Sequence, residues 1–226
     1  MKAWTWIFCL IAFPSLNAFS QTSKPFTITY IEYPNIEGYA KLFEEIYTEL
    51  GFETTLIPTP SLRGLRLLDQ GVVDADVVRL AIAAKYHPNI IVIQPELNRA
   101  NLTLFCIKGV PCTKDILTNK NITILASDSA LNLFSPGEFK AQQAYTYMDW
   151  RIPEMLKADR YKYAVFIIDD LMQEQFNADF QIVRIKSIAI NHFINKKHRA
   201  LVPQIEEKLR KNLPVFLSNR EMQKAL

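Results

Sequence analysis

The sequence predicts an α/β fold, helices covering the faces of a mainly parallel sheet. Short runs of β-branched and aromatic residues alternate with amphipathic helical stripes, glycines stand just beyond the first two stripes, and the alternation persists to the C-terminus. A β-α-β order returns each strand beside the last in the same direction, so it demands a parallel sheet.

A leader precedes the first strand. Lys2 supplies a positive start, Ala3 to Phe13 is almost wholly apolar, and Ala18 and Ser20 are small where a signal peptidase would cut before Gln21. Pro14 and Asn17 break the run, which is too short to span a bilayer. We expect a cleavable signal peptide over residues 1–20 rather than a retained anchor, and hence secretion.

Phe26 to Ile31 has the composition of a strand, which Tyr33-Pro34-Asn35 interrupts. From Tyr39 to Leu50 the residues Leu42, Phe43, Ile46, Tyr47 and Leu50 form a helical stripe, and Gly51 stops it. Phe52 to Ile57 is the next strand. Ser61 is placed to cap a helix carrying Leu62, Leu65 and Leu68, which Gly71 ends. Ala75 to Val78 and Ile90 to Ile93 are short apolar strands. Leu102 to Ile107 and Ile122 to Ala126 read as strands, the second followed by a Ser127-Asp128-Ser129 turn into a helical segment. Tyr163 to Ile168 is a buried strand, with Asp169-Asp170 opening a helix. Ile182 to Ile185 and Ile188 to Phe193 are strands on either side of Lys186-Ser187. A closing helix from about Lys197 to Asn212 carries Leu201, Ile205 and Leu209, with Pro214 as its stop.

Composition narrows the function. A formal charge of +3 and the absence of charge runs give no ground for nucleic acid or an anionic membrane surface as partner. Cys9 leaves with the leader, so Cys106 and Cys112 remain in an oxidising compartment. The intervening loop, with Gly109 and Pro111, is tight enough for a disulfide, which we expect over two free thiols. The three histidines are scattered and none lies near the cysteines, so no metal site or other cofactor is expected.

Pro58 to Arg79 holds the most informative pattern: a Pro-led turn, a short helix, a Gly stop and an Asp-rich strand ending in arginine. Arg63 and Arg79 fall at element ends, where rigid scaffolds grip small ligands. This stretch, with Tyr33-Pro34, Gly38, Leu50-Gly51-Phe52, Pro60-Ser61-Leu62-Arg63, Gly71 to Asp76 and the segment Phe193 to Leu213, resembles the bacterial extracellular solute-binding proteins of family 3. The resemblance runs over nearly all of the chain after the leader. It implies the type II periplasmic-binding fold, two α/β lobes around a ligand cleft. Lobe one would hold residues 22–99 and 188–226 and lobe two 103–185. It also implies a periplasmic monomer that captures a small molecule for an ABC-transporter permease or a membrane sensor.

Arg79 is the first candidate for the ligand site, since a guanidinium at a strand end can fork onto a carboxylate. A salt bridge to Asp74 or Asp76 is the competing reading. Arg63, a cation in a first helical turn where the helix dipole opposes it, is the second. Tyr33 would offer an aromatic wall. Across the cleft, Ser127, Asp128 and Ser129 could take an anion on backbone N–H groups or an ammonium on Asp128, or simply cap a helix. Trp150, the one tryptophan left after cleavage, lies near the cleft or packs lobe two. Together these point to an anionic or zwitterionic, amino-acid-like ligand.

Two features depart from the amino-acid-binding branch that the family includes. Asp76-Val77-Val78 precedes the arginine where that branch has hydroxyl residues, and lobe two has only Gly109 and Gly137. An enzyme on the same fold, dehydratase-like and using Asp169-Asp170, is the rival. No Ser/His/Asp order or Gly-x-Ser-x-Gly supports it, and we expect no catalysis.

Overall fold

In β1 (Phe26–Tyr30), Phe26 and Ile28 enter the core of the first lobe. The computed structural model describes residues 24–33, 36–146 and 151–224, so the leader and Trp150 lie outside it. Helix α1 (Ile36–Glu49) starts three residues before Tyr39 and buries Tyr39, Phe43, Ile46 and Tyr47 on that core. Strand β2 (Thr54–Pro58) pairs parallel with β1, and α2 (Ser61–Asp69) lays Leu65 and Leu68 on the sheet. Gly51 and Gly71, at φ of 86° and 72°, take the left-handed turns that stop the two helices. Strand β3 (Ala75–Leu80) pairs parallel with β1, and β4 (Ile90–Val92) follows a turn of 3-10 helix over Ala81–Tyr86.

The chain then crosses into the second lobe on β5 (Asn98–Ile107). There it forms β6 (Thr123–Ala126), α3 (Asp128–Leu131), β7 (Gln142–Tyr145), α4 (Ile152–Lys157), β8 (Tyr163–Asp169) and α5 (Asp170–Phe176). It returns on β9 (Phe180–Asn195) and ends in α6 (Val202–Lys224). The strand order is β2-β1-β3-β9-β5-β8-β6-β7, with β4 also on β9. Pairs within each half of the order are parallel, whereas β5 and β9 run antiparallel to one another and to their neighbours. The lobes therefore share one sheet through two long crossing strands. Their cores divide between Leu97 and Leu102 on the outward path and between Ile188 and Ile190 on the return.

Three local expectations are revised. Ser61 does not cap α2: Pro60 holds that position and Ser61 is the first helical residue. Lys186-Ser187 does not split β9, because both residues pair with β5, opposite Leu102 and Asn101, and the Lys186 side chain reaches out to Glu138. Pro214 sits inside α6 instead of ending it. The lost hydrogen bond is offset by apolar contacts beyond the proline, among them Phe216 at 4.9 Å from the Tyr39 ring. Strand β7, with its polar Gln142-Gln143, carries no apolar run and was not anticipated. Cys106 and Cys112 form the expected disulfide. The Asn101 and Thr103 side chains are buried in β5.

Candidate functional site

Parallel strands bring their carboxyl ends to one side, and in each lobe that side faces the cleft. In lobe one, β1 leads to Tyr33, β2 to the start of α2, and β3 to Arg79 and Leu80. In lobe two, β6 leads to Ser127, β7 ends in Tyr145 and β8 in Asp169. The Tyr33 hydroxyl donates to the Ile167 carbonyl of β8 at 3.2 Å, and its ring packs against the cores of both lobes. Leu80 and Ile82 pack against the lobe-two core as well. The two sets of strand ends thus meet, and Tyr33 bridges them.

Arg79 is turned inward. Its residue exposure is 5%, and Nη2 contacts Asp76 Oδ2 at 2.6 Å. Nη1 donates to the hydroxyl of Ser61, the first residue of α2, at 3.0 Å. Asp76 Oδ2 also accepts from the Thr29 hydroxyl at 2.8 Å. The helix can approach this ion pair only because residue 64 is glycine. A Cβ there would stand 2.6 Å from Arg79 Nη2 and 3.1 Å from Asp76 Oδ2. Burial pushes the Asp76 carboxyl above its ordinary value against the pull of Arg79. Of the two readings of Arg79, the ion pair with Asp76 is present, and the Arg79 side chain is 3% exposed.

Arg63 is exposed, and the buried stripe of α2 (Ser61 toward Arg79, with Gly64, Leu65 and Leu68) sets its direction. At about 100° per residue, Arg63 and Arg66 lie on the far side of the helix from that stripe. Arg63 therefore stands on a solvated face.

In lobe two the Ser127 hydroxyl accepts from Ala130 N–H at 3.4 Å and lies 2.9 Å from the Ser129 hydroxyl. Ser127 is an N-cap, as the plain reading of this turn had it. Asp128 is exposed and accepts from the Tyr145 hydroxyl at 2.7 Å, and Tyr145 as a residue is 41% exposed. Tyr145 was not nominated from the sequence, since a tyrosine in a polar segment carries no mark of its place beside Asp128. Asp169, considered above only as half of a catalytic pair, closes β8 at the same end of lobe two, half-buried opposite Ala100 of the crossing strand.

The histidines are committed elsewhere. His192 is fully buried, stacked on Phe43 at 3.7 Å, with Nδ1 toward the Val77 carbonyl and Nε2 toward the Tyr47 hydroxyl. A carbonyl only accepts, so Nδ1 donates and Nε2 accepts from tyrosine. Burial lowers the His192 pKa to about 3 and raises that of Tyr47. His198 and Lys197 both contact Asp74 Oδ1 at 2.7 Å, at the amino end of the strands. Burial alone would raise the Asp74 pKa, but hydrogen bonds from Lys197, the Thr27 N–H and His198 hold it below its ordinary value. His87 lies 3.7 Å from Asp69.

No family model matches the chain, and no curated protein matches it by sequence. Solved structures do match. The ligand-binding core of GluR0 from Nostoc punctiforme in complex with L-glutamate superposes with a TM-score of 0.70 at 14% identity, over 86% of this chain and 96% of that one. Tv2483 bound to L-arginine gives 0.68 at 16% identity, over 85% and 88%. The ancestral amino acid-binding protein AncCDT-1, a precursor of cyclohexadienyl dehydratase, gives 0.67 at 12% identity, over 86% and 94%. At these identities the likeness carries the fold, the two-lobed type II periplasmic-binding architecture.

Proposed function

We propose that this chain is a secreted solute-binding protein of the family 3 type that closes its lobes on one small polar molecule in the periplasm. The observation that carries the reading is the Tyr33 bridge: a hydroxyl from lobe one hydrogen-bonded to the Ile167 carbonyl of lobe two. A cleft shut this way excludes water and strengthens each polar contact inside it. The neighbours described as bound to L-glutamate and L-arginine support an amino-acid-sized, nitrogen-bearing ligand. We further propose that the protein acts as a monomer and hands its ligand to an ABC-importer permease. A membrane sensor as client would use the same cleft.

A second reading, chemistry in the cleft, draws on the AncCDT-1 likeness and on Asp169 at the cleft end of β8. We favour binding alone, because each histidine is already engaged with the fold: His192 in the core, His198 on Asp74, His87 beside Asp69. The test is a thermal-shift screen of the exported protein against amino acids, carboxylates, amines and sugars. A ligand that binds only the native state must raise the melting temperature, and its recovery unchanged after incubation separates binding from catalysis. A flat screen across all four classes would sink the reading.

A further inference from the structure

We propose that lobe one carries a docking surface for an acidic protein partner, built from Leu62, Arg63 and Arg66 on the outer flank of α2 and from Lys85 and Tyr86 at the end of the 3-10 turn after β3. This rests on the reading above that the protein hands its ligand to a membrane partner, and it names the surface that the partner takes.

Helix α2 is short, and part of its sequence works against it. Pro60 at its start supplies no side-chain capping hydrogen bond. Arg63 sits in the first turn, where the helix dipole repels a cation, and Arg66 follows one turn later as a like charge. Arg63, Arg66 and Lys85 are all exposed, and none of them makes an ion pair with a described residue. The surface cations Lys157, Lys208 and Arg210, in contrast, each meet a carboxylate. A local cost that the fold does not recover points to a use outside the fold.

The same surface is apolar at its centre. Leu62 is 67% exposed and Tyr86 75%, the two most exposed large apolar residues among those described. At about 100° per residue, Leu62, Arg66 and Asp69 form one row along α2. Asp69 closes that row against the segment after the 3-10 turn, accepting from the Asn89 N–H at 2.9 Å and lying 3.7 Å from His87. Ala83 and Ala84 of the turn pack with Leu65 and Leu68 of α2. Lys85 and Tyr86 therefore stand beside the row, and an aromatic, a leucine and two arginines share one flank. Interfaces draw their anchors from such groups.

This flank is held firmly and is coupled to the cleft. Gly64 seats α2 on the buried Arg79–Asp76 pair, and Ser61 accepts from Arg79. The 3-10 turn that ends in Tyr86 begins beside Leu80, and Leu80 and Ile82 pack against the core of lobe two. Opening the lobes would release that contact, so a partner seated on Tyr86 touches the segment that differs between open and closed states.

Charge decides the occupant. Cations around an apolar centre match a surface of carboxylates around an apolar centre. Arg63, Arg66 and Lys85 fall short of the cluster of about four to eight Lys and Arg that holds a protein on an anionic membrane. The occupant is therefore the periplasmic face of a membrane protein and not lipid.

The test uses the full chain, leader included, made in the cells it comes from, with photoreactive p-benzoylphenylalanine in place of Tyr86. Illumination is expected to join it to one integral membrane protein. Arg63→Glu/Arg66→Glu is expected to cut the yield at least about tenfold, because like charges facing each other across an interface are costly. The melting temperature and the solute response of the purified double variant should stay as they were. Changing the membrane protein's carboxylate nearest the cross-link to lysine should restore the yield with the double variant. An adduct that ignores the charge reversal, an adduct between two copies of this chain, cross-linking to lipid alone, or no adduct would each overturn the docking surface. None of these outcomes touches the ligand-binding reading, which the solute screen on the purified protein decides. A flat screen beside a charge-dependent adduct would sink the binding reading alone.

Discussion

The carboxyl ends of β3 and β6 belong to the same cleft and are built in opposite ways. At the end of β3 a cation and an anion are locked together out of water, roofed by a helix whose glycine lets it approach. At the end of β6 a carboxylate lies in solvent, tied by one hydrogen bond to a half-exposed tyrosine. Coulomb attraction is much stronger in the first setting, and so is the penalty for breaking it. In the second setting water screens both. The contrast teaches that a charged residue at a strand end can be neutralised by the fold or left in solvent, and that its neighbours in space decide which.

The largest effect should come from splitting the sealed pair. Arg79→Ala leaves Asp76 as a buried, unpaired charge and should cost about 3–5 kcal/mol. That corresponds to a fall in Tm on the order of 10 °C for a chain of this size, read by calorimetry. The double variant Asp76→Leu/Arg79→Met should lose much less. If Arg79→Ala melts like the native protein, the pair is not sealed and the comparison fails.

Acid offers the next test, since the buried histidine also lies in lobe one. The folded-state pKa of His192, about 3, is below the ordinary value of 6.5. The unfolded chain therefore binds a proton that the folded chain refuses. This contribution to stability is complete above pH 6.5 and is lost progressively as pH falls toward 3. Its steepest slope is about 1.4 kcal/mol per pH unit. His192→Gln should flatten that limb in a series of denaturant melts at stepped pH.

Gly64→Ala should then cost about 1–3 kcal/mol, because a Cβ must push either the guanidinium or the helix aside. Loss of stability together with an unchanged response in the solute screen would place the damage in the sealed pair and not in ligand binding. Tyr33→Phe is the mildest change. It removes one interlobe hydrogen bond worth about 0.5–1.5 kcal/mol, and small-angle scattering should show a more open average shape. An unaltered scattering curve would assign lobe closure to the Leu80 and Ile82 contacts instead.

Much of the fold was legible because its signals are local. The stripe of Leu42, Phe43, Ile46 and Tyr47 marks α1 wherever the helix ends up, and glycines at 51 and 71 mark the stops. Tyr163 to Ile168 announces a buried strand by composition alone. Other features escaped because their cause lies far away in sequence. Lys186-Ser187 looks like a turn until β5 is laid beside it, and Pro214 looks like a stop until α1 is packed on the residues beyond it.

The cleft shows the same division most sharply. Residue types and short spacings determined that this chain alternates strands with helices, that Arg79 closes an Asp-rich strand, and that Ser127-Asp128-Ser129 follows a buried one. All of these are set by periodicity and local propensity within a dozen residues. Which charge is neutralised was decided only when β1, β3 and α2 came together, placing Thr29, Asp76 and Ser61 around one guanidinium. Tyr145 likewise reaches Asp128 only because β7 lies parallel to β6. Burial and pairing are properties of the assembled sheet, and they set whether a charge faces the fold or the ligand.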